Sequence, residues 1–343
     1  MPAGFAARAE ALLARHWWQP RPTWLARALL PLARIYGLLL RRHQRQPVPA
    51  TRLPVPVLVV GNVIAGGAGK TPTVIALVRA LRAAGHRPGV VSRGHGRQGA
   101  GVHEVGDGDD ARRSGDEPLL VRRRCGVPVF VGRQRAAAAA ALCARHPAVD
   151  VIVADDGLQH RALPRQAELL VFDERGLGNG LLLPAGPLRE PLALRLSPRL
   201  RVLHTAGPAP GTPTGALARR RFGAAWPLQA WLAGDEAASQ PLHTLRDRPL
   251  LAAAGLAAPR KFFDMLAAAG LVAEPLPLPD HFDYATLPWP AATADVITTE
   301  KDAVKLQPSR LGSTRVWVVP LDLDIPDGLV ADLLALLFPR AAP

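Results

Sequence analysis

The amino-acid sequence predicts an α/β fold: a doubly wound, mainly parallel sheet, a second and smaller α/β unit after it, and an amphipathic helix in front. Three observations predict this. From Pro54 onward, short β-branched runs alternate with glycine-rich turns and helical stretches, the pattern of βαβ units. The alternation resumes after residues 207–215, a stretch rich in proline, glycine and threonine that reads as a boundary. Ahead of Pro54, leucines recur at helical spacing in an arginine-rich segment. The units divide as 1–50, 51–206 and 207–343.

With 343 residues, 48% of them apolar, the chain can bury a core large enough for two packed units. Its two cysteines, Cys125 and Cys143, have no histidine at ligand spacing, which argues against a disulfide framework or a zinc site and suits a reducing cytoplasm. The formal charge of +14 is concentrated: residues 1–52 hold nine arginines against the single acid Glu10.

In this arm Leu25, Leu29, Leu32, Tyr36 and Leu39 recur at steps of three and four, and Arg27, Arg34 and Arg41 lie on another face. That pattern predicts a helix kinked at Pro31, with Trp17, Trp18 and Trp24 at its rim. An apolar face flanked by arginine suits an anionic membrane surface. Arg27, Pro31 and Arg34 interrupt the longest apolar stretch, so the arm is expected not to span a bilayer.

In the second unit, strands are predicted at 55–60, 89–92, 127–131, 151–154 and 169–172, with helices at 71–84 and 133–145. In the third, strands are predicted at 250–254, 296–299 and 315–319, with helices at 259–269 and 328–338.

The first strand runs into Gly61-Asn62-Val63-Ile64-Ala65-Gly66-Gly67-Ala68-Gly69-Lys70-Thr71, and a helix follows at once. Glycines let backbone N–H groups turn onto phosphates, and the helix N-terminus adds positive potential. Lys70 can reach the β and γ oxygens, and the Thr71 hydroxyl can hold Mg²⁺. Ile64 stands where G-x-x-x-x-G-K-[ST] has its first glycine, so the match rests on residues 66–71. This makes the sheet a P-loop NTPase-type sheet, with residues 64–71 as the ATP-binding loop. The strand at 151–154 leads into Asp155-Asp156, with Gln159 and His160 just beyond, where a Mg²⁺-holding carboxylate of an ATP site belongs. Arg93 and Arg135 are candidate phosphate contacts because guanidinium forks match phosphate oxygens.

Taken together, GNVIAGGAGKTP at 61–72, VVSRGHGR at 90–97, GDEP at 115–118, DDGLQHRAL at 155–163, LPAGPLRE at 183–190, DHFDY at 280–284 and TEKDAVK at 299–305 resemble the tetraacyldisaccharide 4′-kinases of lipid A biosynthesis. The resemblance covers nearly the whole chain. It implies transfer of the ATP γ-phosphate to the 4′-hydroxyl of an acylated glucosamine disaccharide 1-phosphate, at the cytoplasmic face of the bacterial inner membrane. It also implies that Asp116 of GDEP takes the hydroxyl proton, paired with His281 of DHFDY. Arg189 would meet phosphate, and Glu190 would join the metal shell. TEKDAVK has no role on these grounds, and no obligate protein partner is expected.

Two other classes share features with this chain. The Gly-Gly-x-Gly-Lys-Thr core also resembles membrane-cycling ATPases of the septum-placement type, but those carry a lysine where this chain has Ala65. Nucleic-acid binding would suit the basic pI, yet much of the excess charge lies in the arm, without a recognition helix or aromatic platform.

Overall fold

The computed structural model describes residues 13, 15–48, 51–194, 196–209 and 211–339; residues 1–12 of the basic arm, with Glu10, lie outside the described residues. The first sheet holds β1 (Val57–Gly61), β2 (Pro88–Ser92), β3 (His103–Glu104), β4 (Val129–Val131), β5 (Val151–Asp155), β6 (Ala167–Phe172), β7 (Leu200–His204) and β8 (Ala216–Leu217). Their order is β3-β4-β2-β5-β1-β6-β7-β8, parallel throughout except for β3. The central strands β1 and β5 are buried at every position, so they read as unbroken apolar runs rather than alternating ones. β1 lies between β5 and β6; the chain leaves it for β2 on one side and reaches β6 and β7 on the other, so its C-terminal edge is the switch point where α/β sheets bind ligands.

Two more short strands, β9 (Arg219–Phe222) and β10 (Trp226–Pro227), lead into β11 (Leu250–Ala254), β12 (Ala273–Pro277), β13 (Asp295–Thr299), β14 (Arg315–Val319) and β15 (Leu321–Asp324). The second sheet runs β10-β14-β13-β11-β12, and β9 pairs with β15 in a two-stranded antiparallel ribbon. Sequence patterning overlooked β12, which carries Pro275 and Pro277. It is an edge strand, the place where a missing N–H is tolerated.

The helices, in chain order, are α1 (Trp24–Ala28), α2 (Leu30–Arg45), α3 (Lys70–Ala83), α4 (Ala111–Ser114), α5 (Asp116–Cys125), α6 (Arg135–Arg145), α7 (Leu228–Ala233), α8 (Pro259–Ala268), α9 (Glu300–Ala303) and α10 (Asp327–Leu337). The boundary expected at 206/207 needs correction. β8 lies beyond it yet pairs with β7, so the first sheet extends to Leu217. α10 also returns to pack on β1 and β6, and one apolar core joins α3, α5 and α10 to the second sheet.

The N-terminal arm also differs from expectation. Pro31 starts α2 rather than kinking a continuous helix, because a proline costs nothing in a first turn, where N–H groups lack helical partners. Trp17 is buried, its Nε1 donating to Pro184 O at 2.8 Å, and Trp18 lies under the Arg175 guanidinium. Of the three tryptophans, Trp24 alone projects outward, 75% exposed. α2 is anchored through Ala33 and Gly37, and the Tyr36 hydroxyl donates to Arg189 O at 2.7 Å. Leu32, Ile35, Leu38 and Leu39 are left exposed on its outer side. Among the described residues, no helix is long and apolar enough to cross a membrane.

Candidate active site

The phosphate-type loop leaves β1 and enters α3 through Gly69, whose left-handed backbone (φ 82°) lets the chain turn directly into the helix. Ile64 is fully buried and bridged to Leu188, so at this position a core side chain replaces the usual glycine. The Ala65 N–H donates to Pro187 O at 2.8 Å, which assigns it to bracing the loop instead of to a ligand. Asn62 Nδ2 donates to Gly66 O at 3.2 Å, and Arg175 donates to Gly67 O. Thr71 sits in the first turn of α3, and Lys70 Nζ lies 3.5 Å from Asn62 Oδ1 and 3.4 Å from Asp156 Oδ1.

Asp155 and Asp156 are neighbours with opposite electrostatics. Asp155 is 2% exposed, and burial, with Glu117 and Asp156 nearby, pushes its carboxyl up to about 7. Ser92 Oγ donates to its Oδ2 at 3.2 Å, whereas Oδ1 is buried without a hydrogen-bond partner. Burial also pushes Asp156 up, but Lys70 and Arg189 outweigh it and hold that carboxyl down at about 2. Arg189 Nη1 lies 3.1 Å from Asp156 Oδ1, and Gln159 Nε2 donates to Glu190 Oε1 at 2.7 Å. Arg135 is buried, donates to Asp156 O at 3.2 Å, and is lowered to about 10 by desolvation. His160 is lowered to about 4 by burial and by Arg135 and Arg93, so it is a neutral imidazole near pH 7. Arg93 itself is exposed.

The orphaned Asp155 oxygen fits a divalent cation. Among the described residues, no three carboxylate, imidazole or thiolate groups converge to hold an ion unaided. Such a donor set suits Mg²⁺, which is bound by one or two carboxylates together with substrate phosphates and water.

Asp116 is the first residue of α5. The sequence carried the signals of that helix: acids in the first turn, Pro118 near its start, Arg122 to Arg124 in the last turn, and Gly126 as a left-handed cap. Gly115 precedes it with φ 90°, and a Cβ there would lie 3.1 Å from both Gly94 Cα and His95 O. This close approach seats the GDEP turn on the loop after β2. His281 Nδ1 lies 2.8 Å from Asp116 Oδ2, and the Glu117 N–H donates to Oδ1 at 2.9 Å. Burial would raise the Asp116 carboxyl, but the His281 hydrogen bond, Lys301 and Lys305 together lower it. The bond to Asp116 raises His281 above its ordinary value despite its partial burial.

TEKDAVK thereby acquires structural roles. Thr299 caps α9, Glu300 accepts from Trp231 Nε1 at 3.0 Å, and Asp302 accepts the Gly255 N–H at 2.9 Å. Lys301 and Lys305 reach the Asp116–His281 pair, Lys305 Nζ lying 3.9 Å from Asp116 Oδ2. Sequence reasoning missed both lysines because only packing between the two sheets brings them there.

A family model described as tetraacyldisaccharide-1-P 4′-kinase matches residues 25–337. The chain belongs to the tetraacyldisaccharide 4′-kinase family. It is 51% identical over 343 residues to the tetraacyldisaccharide 4′-kinase of Methylibium petroleiphilum, covering 96% of this chain and 95% of that one. It is 53% identical over 290 residues to that of Leptothrix cholodnii, covering 83% of each. The crystal structure of LpxK from Aquifex aeolicus in complex with ATP superposes with a TM-score of 0.73 at 25% identity, covering 92% of this chain and all of that one. The kinase is thus an ATP-dependent phosphotransferase of lipid A biosynthesis, built on a mainly parallel α/β sheet.

Two further arginines, Arg175 and Arg220, border the kinase's phosphate loop without having been singled out from sequence. Arg175 and Lys261 share the buried Asp173, at 2.9 and 3.0 Å, and Arg220 Nη2 donates to Thr205 Oγ1 at 2.7 Å beside Gly69.

Proposed function

We propose that the kinase binds Mg·ATP at residues 66–71 and passes its γ-phosphoryl group to the 4′-hydroxyl of an acylated glucosamine disaccharide 1-phosphate, with Asp116 as general base. The observation that carries this reading is the Asp116–His281 hydrogen bond of 2.8 Å at the same sheet edge as the phosphate loop. Glu117, the next residue of α5, is near enough to Asp155 to raise it. A sugar hydroxyl is a weak nucleophile, so its proton must leave as the O–P bond forms. In the step, the hydroxyl proton goes to Asp116, the sugar oxygen bonds to Pγ, the bond from Pγ to the β,γ-bridging oxygen breaks, and ADP leaves. Lys70 neutralises charge on the phosphate oxygens, and Arg189 shifts from Asp156 to phosphate. Thr71, Asp155 and Asp156 would hold Mg²⁺, with Glu190 behind them and held by Gln159; the ion supplies charge neutralisation on the phosphates. Arg135 is buried and braces the strand end by donating to Asp156 O, which favours a structural role over phosphate contact.

The exposed side of α2 is the reading's membrane face. Leu32, Ile35, Leu38 and Leu39 stand among exposed Arg34, Arg41 and Arg42. Full burial of an exposed leucine or isoleucine in a bilayer is worth roughly 1.5–3 kcal/mol, and each arginine near an anionic surface adds about 1 kcal/mol. This would hold the kinase against the cytoplasmic face of an inner membrane, where its lipid acceptor resides. Thin-layer separation of ³²P-labelled products from ATP, Mg²⁺ and the acylated disaccharide tests the activity, and a phosphorylated disaccharide that Asp116→Ala forms at the wild-type rate rejects the base assignment.

A further inference from the structure

Lys301 is directed at the imidazole of His281 from the far side of the Asp116 bond. Its Nζ lies 3.3 Å from His281 Nε2, 3.0 Å from Asp280 Oδ1 and 3.4 Å from Glu117 Oε1. The two carboxylates come from different elements and aim one ammonium at one ring nitrogen. An ammonium has donors only, so the contact to Nε2 requires a lone pair there. That lone pair is the one an incoming proton would take, because Nδ1 already carries the hydrogen shared with Asp116.

We infer that Lys301 is a positioning residue that sets the pH at which the Asp116–His281 pair loses its base, by occupying the Nε2 lone pair and placing a fixed cation beside the ring. This rests on the reading of Asp116 as general base. An imidazolium next to Asp116 would neutralise the carboxylate and weaken it as a proton acceptor, so the pair works best with a neutral ring. Asp116 pulls the ring toward the protonated form and Lys301 pushes against it. Lys301 itself stays charged, because Glu117, Asp116 and Asp280 outweigh its burial.

Every charged group facing the ring enters this balance. α5 contributes Asp116 and Glu117, and the ring's own loop contributes Asp280. The α9 segment contributes Lys301 and, beyond Asp116, Lys305. His95, from the loop after β2, lies with its ring centre 5.1 Å away. Lys301 is the cation in hydrogen-bond contact with the imidazole. A part-buried ion cluster ties its helix to α5: Arg124 of α5 bonds both Glu300, the neighbour of Lys301, and Asp322.

The test compares the full-length protein with Lys301→Met and Lys301→Arg. His281 is titrated by NMR, its signals assigned by their loss in His281→Gln, and kcat is followed against pH. In Lys301→Met the imidazole should take up its proton about tenfold more readily, one pKa unit, and the acid limb of kcat should move up by the same amount. The alkaline plateau should stay within about twofold, because Lys301 acts through the ring rather than on substrate. Lys301→Arg, which retains charge and donors, should leave the limb in place. An unmoved limb in Lys301→Met, or a plateau that falls while the limb stays, overturns the inference. Asp116→Ala serves as the separate control: full activity in that variant rejects Asp116 as base, while the NMR titration of Lys301→Met still reports on the lysine.

Discussion

The two acidic clusters of the site are assembled in opposite ways. Asp155 and Asp156 come from a single strand end, a few ångströms from a loop whose chemistry is written in consecutive residues. The Asp116 cluster is drawn from α5, from the loop after β12 and from α9, with Asp116 and His281 165 positions apart in the chain. The first cluster depends on local backbone geometry. The second depends on the two sheets being held together, by the shared apolar core and by the Arg124–Glu300–Asp322 network that crosses between them. A site with one locally built half and one assembled half should respond differently when each half is damaged.

The largest effect should come from the local half. Lys70→Ala removes the cation that meets the phosphate tail, and no ³²P transfer to the disaccharide should be detectable. In the assembled half, Asp116→Ala should lower kcat by about 10²–10⁴, the range for a lost general base, with little change in the KM for ATP.

Arg124→Ala strikes the packing that unites the second cluster without touching it. Leaving Glu300 buried without its countercharge, held only by the Trp231 N–H, should cost about 3–5 kcal/mol, read as a lower midpoint in urea. Loss of activity in that variant at temperatures where it remains folded would show how tightly the assembled half depends on this clamp.

The two neighbouring aspartates sharpen the contrast through pH. Asp155 rises from 3.8 to about 7 on folding, so its ionisation opposes folding: the penalty is absent below about pH 4, grows through that interval and is complete above it. Asp155→Asn should therefore stabilise the ligand-free protein above pH 7, by up to about 4 kcal/mol, and flatten the loss of stability between pH 4 and 7, while abolishing transfer. Asp156 does the reverse, since its carboxyl falls from 3.8 to about 2; its contribution is present above pH 4 and is lost as pH drops toward 2. Thermal melts across pH distinguish the two.

The smallest effect on catalysis should follow changes on the exposed side of α2. Ile35→Asp with Leu38→Asp should weaken sedimentation with anionic vesicles and raise the apparent KM for a lipid acceptor, leaving ATP binding unchanged. Full pelleting of that variant would remove α2 as the membrane face. Point changes suit this test better than deleting the arm, because Tyr36 and Trp17 pack directly on the 184–189 loop.

What was legible in the sequence follows the same division. The loop at 61–71, the strand before it and the acids at 155–156 could be read because glycines, a lysine and a strand end specify their geometry within a few residues. β12 was missed because prolines at a sheet edge look like loop; α5 had its end signals, but ten residues with three consecutive arginines give too little apolar periodicity to mark a helix. The boundary at 206/207 was misplaced because turn residues mark a bend, whereas β8 and α10 show which sheet the chain then joins.

By itself, then, the chain's order of residues determined the parallel sheet, the phosphate loop and the family resemblance, since each rests on short-range periodicity or contiguous motifs. Only the tertiary structure decided that Trp17 turns inward and Trp24 outward, that Ile64 belongs to the core, and that Lys301 meets His281. The reason is physical: these outcomes depend on which surfaces pack across long chain separations, where burial and Coulomb terms act between residues that no local pattern connects.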